Sequence, residues 1–218
     1  MIRSFDPRLI LVTDRVLAAG RPIEAIVASA IRGGVTAVEL REKNLSDEDF
    51  VRLALRLKSI LDPIGVPFLI NDRVGVAAAA GASGVHLGQA DASAAEARRV
   101  LGTSAVIGLS VETLEQAEAA RGLDVDYLGV SPVFATPTKP DAAIPWGIEG
   151  LRRLRRRTDR VLVAIGGIGT ANAAEVLDAG ADGLAVVSAI CSAADPEAAA
   201  RSLRAVIDTR PRPGKGGS

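Results

Sequence analysis

The sequence predicts a single parallel (β/α)8 barrel. Three observations carry the prediction: about eight short apolar runs rich in β-branched residues, amphipathic helical segments between them, and no linker or low-complexity break along 218 residues. Strands covered on both faces by helices read as near-continuous apolar runs. Alternation of strand and helix implies a parallel sheet, and eight such units close into a TIM barrel, for which roughly 200 residues suffice. An open doubly wound sheet would show fewer strands and a glycine-rich fingerprint after the first. That first strand instead runs into Thr13-Asp14-Arg15.

The strands are read at Leu9–Val12, Ala37–Leu40, Phe68–Ile70, Gly84–Leu87, Ala105–Leu109, Tyr127–Val130, Val161–Ile165 and Leu184–Val187. Between them lie helical patterns. The segment Pro22–Ile31 is apolar at Ile23, Ile26, Val27 and Ala30, a helical spacing. Ser46–Ile60 opens on a capping serine followed by three acids, where the helix dipole favours negative charge. Similar segments run over Ser93–Leu101, Thr113–Arg121, Gly147–Arg157, Thr170–Ala179 and Pro196–Ile207. Gly33, Gly102, Gly122 and Gly180 stand where such helices stop. The segments 33–38, 81–85 and 180–184 each turn a helix into the next strand, so their glycines read as structural and lie at the bottom of the barrel. Residues 1–209 are expected to form one domain. The Pro, Gly and basic stretch 210–218 has nothing to bury and is expected to be disordered.

Lys plus Arg equals Asp plus Glu, 26 against 26. This balance gives no support for a nucleic-acid or membrane partner, which favours a basic excess. The N-terminal stretch lacks the apolar run and cleavage site of a signal peptide, and the longest Ala-rich stretch, Val74–Ala82, is far short of the ~20 residues that span a bilayer. A cytoplasmic protein is therefore expected. The single cysteine, Cys191, excludes an internal disulfide and reads as a small buried hydrophobe.

In a barrel, chemistry sits at the C-terminal strand ends and the loops after them. After the second strand comes Glu39-Leu40-Arg41-Glu42-Lys43, and alternation puts Glu39, Arg41 and Lys43 on one side. If that side is the interior, two converging cations suit a polyanion such as pyrophosphate; the same pattern also fits a solvated charge cluster. Asn71-Asp72-Arg73 follows the third strand and Gly88-Gln89-Ala90-Asp91 the fourth. Two carboxylates at neighbouring strand ends, with cations one strand over, look like a Mg2+ site, though either aspartate alone also fits a helix cap. His86 is the one histidine and fits a barrel-lining role as well as a chemical one. The fifth strand ends at Ser110. The sixth runs into Ser131–Pro140, a Pro-stiffened loop with Thr136, Pro137, Thr138 and Lys139 that looks like a binding loop or lid. Trp146 fits packing of this loop, a core role or an interface role alike. Gly166-Gly167 after the seventh strand and Val187-Ser188 after the eighth match the recurrent barrel phosphate site. No nucleophilic triad or His/Cys metal cage is evident.

Taken together these segments resemble thiamine phosphate synthases. The family's run appears in order: LVTD at 11–14, GGVTAVELREK at 33–43, INDRV at 70–74, GVHLGQAD at 84–91, IGLS at 107–110, YLGVSPVFATPTK at 127–139, AIGGI at 164–168 and AGADGLAVVSAI at 179–190. The resemblance implies condensation of the pyrophosphate ester of 4-amino-5-hydroxymethyl-2-methylpyrimidine with 4-methyl-5-(2-phosphoethyl)thiazole. Pyrophosphate leaves first, and the thiazole nitrogen attacks the pyrimidine carbocation. It implies Mg2+ on Asp72 and Asp91, and pyrophosphate on Arg41, Lys43, Asn71 and Lys139. Ser110 would position the pyrimidine and its cation, Thr136 and Thr138 the thiazole side, and Gly167, Val187 and Ser188 the thiazole phosphate. Leu40, Glu42 and Pro137 belong to the same substrate-binding segments, and Arg41, Lys43, Ser110 and Lys139 are the expected catalytic set. The family usually has glutamine where this chain has Glu39, beside the pyrimidine; an ionised carboxylate only accepts hydrogen bonds. The partners so implied are small molecules, with a homo-oligomer possible.

Three rival readings remain. A thiazole tautomerase on the same barrel needs a base and no Mg2+ site. Its pattern puts histidine two residues after the serine of the fifth strand, where this chain has Glu112. A sugar-phosphate epimerase or indole-pathway isomerase shares the terminal phosphate loops but not the paired aspartates. A non-catalytic sensor of thiamine precursors would bind ligand and release no pyrophosphate.

Overall fold

Every apolar run forms a strand in the computed structural model, which describes residues 5–136 and 144–210. The strands are β1 (Leu9–Val12), β2 (Ala37–Leu40), β3 (Phe68–Asn71), β4 (Gly84–Leu87), β5 (Val106–Val111), β6 (Tyr127–Val130), β7 (Leu162–Ile165) and β8 (Gly183–Val186). They pair in parallel in chain order, and β8 returns to β1, closing the barrel. The fifth strand runs beyond its expected end because Ser110 and Val111 still pair with Gly129 and Val130 of β6.

Nine helices are described: α1 (Ile23–Arg32), α2 (Asp47–Leu61), α3 (Val74–Ala80), α4 (Ala94–Leu101), α5 (Leu114–Ala119), α6 (Gly147–Arg155), α7 (Ala173–Asp178), α8 (Ser188–Cys191) and α9 (Pro196–Asp208). The expected Ser46 cap is in place, and Ser93 and Thr113 cap their helices in the same way. Ser46, Ser93 and Thr113 accept from the backbone N–H of Asp49, Glu96 and Gln116, each satisfying a first-turn donor.

Three local readings need correction. The Ala-rich stretch that matters for the membrane question is itself a helix, α3; its run of small apolar residues has no polar face to mark it. Helix α7 starts at Ala173 rather than at Thr170, because Asn172 works in the loop, accepting from Gly169 N–H and donating to the Gly167 carbonyl. Gly33 ends α1 as expected, staying right-handed at φ −79°, while Gly34 takes the left-handed turn at φ +102°. Gly122 lies inside a 3-10 turn, Ala120–Gly122, that prolongs α5.

Alternation along the strands builds two apolar clusters. Outward residues such as Leu11, Val38, Ile70, Val85, Leu128 and Leu184 pack under the helices. Inward residues Ile10, Val12, Ala37, Leu69, Val106, Tyr127, Val163 and Ala185 form a smaller inner cluster. Toward the C-terminal ends of β2, β3 and β4 the inward positions turn polar at Glu39, Asn71 and His86. The inner cluster is thus the floor on which the polar end rests. Cys191 is buried, its thiol facing the Val12 carbonyl at 3.8 Å, and burial pushes its pKa up to about 11. No helix among the described residues is long and apolar enough to cross a membrane. Of the expected tail, Arg210 is described and grips Asp178 through Nε at 2.9 Å and Nη2 at 3.1 Å; residues 211–218 lie outside the described residues.

Candidate active site

The C-terminal strand ends surround a cavity of about 630 Å3. Its walls include Glu39, Arg41, Lys43, Asn71, Asp72, Asp91, Ser110, Thr136, Gly167, Val187 and Ser188. All of these were expected from the sequence, and the barrel brings them together from seven of the eight strand ends or the loops beyond them. Leu40 and Glu42 do not line it. Leu40 points outward into the core beneath the helices, and Glu42 faces Arg15 at 3.7 Å, as alternation requires of residues between Glu39, Arg41 and Lys43. Pro137, Thr138 and Lys139 lie outside the described residues.

The cations are held by carboxylates. Lys43 Nζ donates to Asp72 Oδ2 at 2.6 Å, and Arg41 Nη1 lies 3.6 Å from Asp14 Oδ2. The Arg41 backbone N–H donates to the buried Thr13 hydroxyl at 3.1 Å, which fixes where its side chain leaves β2. Asp72 takes φ +65°, uncommon for a residue other than glycine. Its N–H donates to the His86 carbonyl at 2.8 Å, tying the end of β3 to β4. Arg73, next along, turns outward. It donates to the Leu45 carbonyl at 2.7 Å and covers the Phe50 ring at 5.2 Å, pinning the loop after β2.

Asp72 and Asp91 are within hydrogen-bonding reach of each other. Burial works to raise Asp72, but hydrogen bonds from Lys43 and Asp91 and the Lys43 charge hold it below the ordinary aspartate value. Burial and the neighbouring Asp72 push Asp91 above it. Gly88 N–H donates to Asp91 Oδ2 at 2.7 Å, so the loop after β4 is shaped around this carboxylate. No group of three or more His, Cys, Asp or Glu that would make a closed metal cage occurs among the described residues. Two converging carboxylates open to a cavity instead suit a cation that retains waters and takes its other ligands from substrate, as Mg2+ does.

The loops after β7 and β8 complete the cavity lining with Gly166, Gly167, Val187 and Ser188. Gly166 and Gly167 adopt φ +104° and +65°, conformations that side chains resist. A Cβ at Gly166 would fall 2.8 Å from Pro132 Cβ, and one at Gly167 would fall 2.8 Å from Phe134 Cβ. Val133 and Phe134 N–H donate to the Ile165 and Gly166 carbonyls at 2.9 and 3.1 Å, so the loops after β6 and β7 are stitched together. Helix α8 opens at Ser188, and its first amides, lacking intrahelical acceptors, are available to an anion. Trp146 and Gly147 N–H donate to the Pro132 and Val133 carbonyls, both at 2.9 Å, and the Trp146 indole donates to the Val111 carbonyl at 3.3 Å. Trp146 therefore clamps the base of the β6 loop.

Glu39 is 4% exposed and lines the cavity floor, and burial pushes its carboxyl above the ordinary glutamate value of 4.5. A raised native pKa means that the unfolded chain ionises first as pH rises, so this group's contribution to stability is full below pH about 4 and declines through the native pKa. Glu39→Gln cannot ionise. Its melting temperature is expected to match wild type near pH 4 and to exceed it increasingly as pH rises. Thermal melts of both proteins across pH check this, and a gap that does not change with pH would refute it.

Sequence reasoning missed Tyr127, Gln89 and Ser131, which also line the cavity. A signal existed for Tyr127: Gly108, at an inward position of the neighbouring β5, marks room reserved for a bulky group.

Comparison with known proteins decides the family. A family model described as thiamine monophosphate synthase matches residues 9–190. A thiamine-phosphate synthase from Albidiferax ferrireducens is 59% identical over 201 residues, 92% of each chain. This chain belongs to the thiamine monophosphate synthase family. It is an enzyme, and the relatives' assignment makes it a transferase of thiamine biosynthesis. Another such synthase, from Chloroflexus aurantiacus, is 50% identical over 202 residues, 93% of each chain. Among solved structures, a thiamine phosphate pyrophosphorylase from Pyrococcus furiosus superposes with a TM-score of 0.85 at 37% identity, covering 94% of this chain and 96% of that one. These thiamine monophosphate synthase relatives do not favour the tautomerase reading.

Proposed function

We propose that this enzyme joins the pyrimidine pyrophosphate to the thiazole phosphate, releasing thiamine phosphate and pyrophosphate in the cytoplasm. What supports the reading is one cavity lined by two sets of residues suited to anions. Arg41 and Lys43, beside Asp72 and Asp91, make up one set, and Gly167, Val187 and Ser188 the other. A condensation of two phosphorylated substrates needs both at once.

The hard step is breaking the bond between the pyrimidine methylene and the pyrophosphate oxygen. The electron pair leaves with pyrophosphate, and the thiazole nitrogen lone pair then forms the new carbon–nitrogen bond. Fixed positive charge aimed at the leaving group is the fitting tool, and no proton shuttle is needed. Arg41 and Lys43 are set for that part, each now resting on an aspartate that an incoming polyanion would displace. Asn71 adds a neutral donor beside them. The donor chemistry of Asp72 and Asp91 fits Mg2+, which when bound would offset charge developing on pyrophosphate. Ser110 and Glu39 on the floor would orient the pyrimidine. Thr136, at the start of the loop continuing through Pro137, Thr138 and Lys139, would meet the thiazole side, with Lys139 reaching the leaving group. Burial raises the Glu39 pKa, and the protonated form would both donate and accept, as an amide does, at the position where the family usually has glutamine.

The test is pyrophosphate release by purified protein. Release is expected only with both precursors and Mg2+ present. Well-folded protein that releases none under those conditions would overturn the reading.

A further inference from the structure

The cavity floor holds a hydrogen-bonded chain of which the scheme above uses only Ser110. Tyr127 at the start of β6 and His86 on β4 stack with ring centroids 5.4 Å apart. Tyr127 Oη lies 2.8 Å from His86 Nδ1, and His86 Nε2 lies 2.8 Å from Ser110 Oγ. Glycines on β5 and β6 make way for these rings. A Cβ at Gly108 would fall 2.2 Å from Tyr127 Cζ and 2.5 Å from His86 Nδ1, and one at Gly129 would fall 2.7 Å from His86 Cε1.

The direction of the chain follows from counting donors. Tyr127 is 1% exposed, and a buried hydroxyl proton without an acceptor is costly. Burial holds its pKa well above that of an ordinary phenol, so the proton stays. The acceptor within reach of that proton is His86 Nδ1. Nδ1 therefore carries no hydrogen, and the neutral ring has its proton on Nε2. Nε2–H donates to Ser110 Oγ. Having accepted there, the Ser110 hydroxyl is left to point its own proton into the cavity that Ser110 lines. The opposite tautomer would strand the phenol proton against an N–H.

We propose that Tyr127 and His86 are positioning residues that fix Ser110 as a hydrogen-bond donor to a lone pair on bound substrate. The orientation stands on the hydrogen-bond geometry and the burial of Tyr127; its catalytic consequence rests on the condensation reading above.

The single histidine makes the test direct. Labelling the full chain with 15N-histidine gives only two ring nitrogens, told apart by their couplings to the two ring protons. In the ligand-free protein at neutral pH, Nδ1 is expected to be pyridine-like and Nε2 pyrrole-like. A pyrrole-like Nδ1, or two pyrrole-like nitrogens, overturns the proposal. Tyr127→Phe keeps the ring and removes the phenol proton. It is expected to let the proton redistribute toward Nδ1 and to lower kcat about tenfold with KM nearly unchanged, as for groups that orient a functional ligand. In the Ser110→Ala background the same change should add nothing, because the group being oriented is gone. Full activity in Tyr127→Phe, or losses that multiply in the double variant, overturns the positioning role. An inactive wild type overturns the condensation reading instead, while the nitrogen signals still decide the tautomer.

Discussion

Asp91→Asn is expected to lower kcat/KM for pyrophosphate release by about 10²–10³-fold, the loss typical when one preorganised electrostatic partner of a developing charge is removed. The asparagine keeps an oxygen for the Gly88 N–H that now donates to Asp91 at 2.7 Å, so the loop should hold its shape. What disappears is charge, beside a second carboxylate that already rests on Lys43. The variant should need more Mg2+ for half-maximal rate while melting near the wild-type temperature. Steady-state rates across a Mg2+ titration check this. A variant with wild-type rate and metal requirement would remove Asp91 from the site.

Gly84→Ala is the second large effect and concerns the fold. A Cβ at Gly84 would sit 1.9 Å from the Val106 carbonyl oxygen on β5, a backbone atom that cannot step aside without opening the ladder. Overpacking of this kind costs about 3 kcal/mol, occasionally more. For a chain of this length that corresponds to roughly 6–12 °C in Tm. Gly75→Ala is the matched control. It lies in α3 with nothing within 4 Å of its would-be Cβ, so it should stabilise by about 1 kcal/mol through better helix propensity. Thermal denaturation of both variants decides the point, and a Gly84→Ala protein that melts with wild type would refute the collision.

The contrast shows what was legible in the sequence. The strands were readable because parallel strands buried on both faces leave short β-branched runs, and all eight fell within a residue or two of their place. The polar rim was readable because alternation on β2 separates Glu39, Arg41 and Lys43 from Leu40 and Glu42. Helix α3 was not, since a run such as VGVAAAA carries no period to detect. The Tyr127–His86–Ser110 chain was invisible for another reason. Its members come from three strands, and only barrel closure sets their rings and hydroxyl side by side. Spacing in one chain encodes neighbours along a strand, whereas register across strands is a property of the closed sheet.

The stitching of the β6 and β7 loops bears on how this scaffold can be re-engineered. Val133 and Phe134 bond to Ile165 and Gly166, and Gly166 and Gly167 leave no room between themselves and Pro132 and Phe134. Loop swaps among barrels treat each βα connection as an interchangeable cassette. Here the two connections are one cassette, and a graft that transplants either without its neighbour brings mismatched shapes into the same narrow seam.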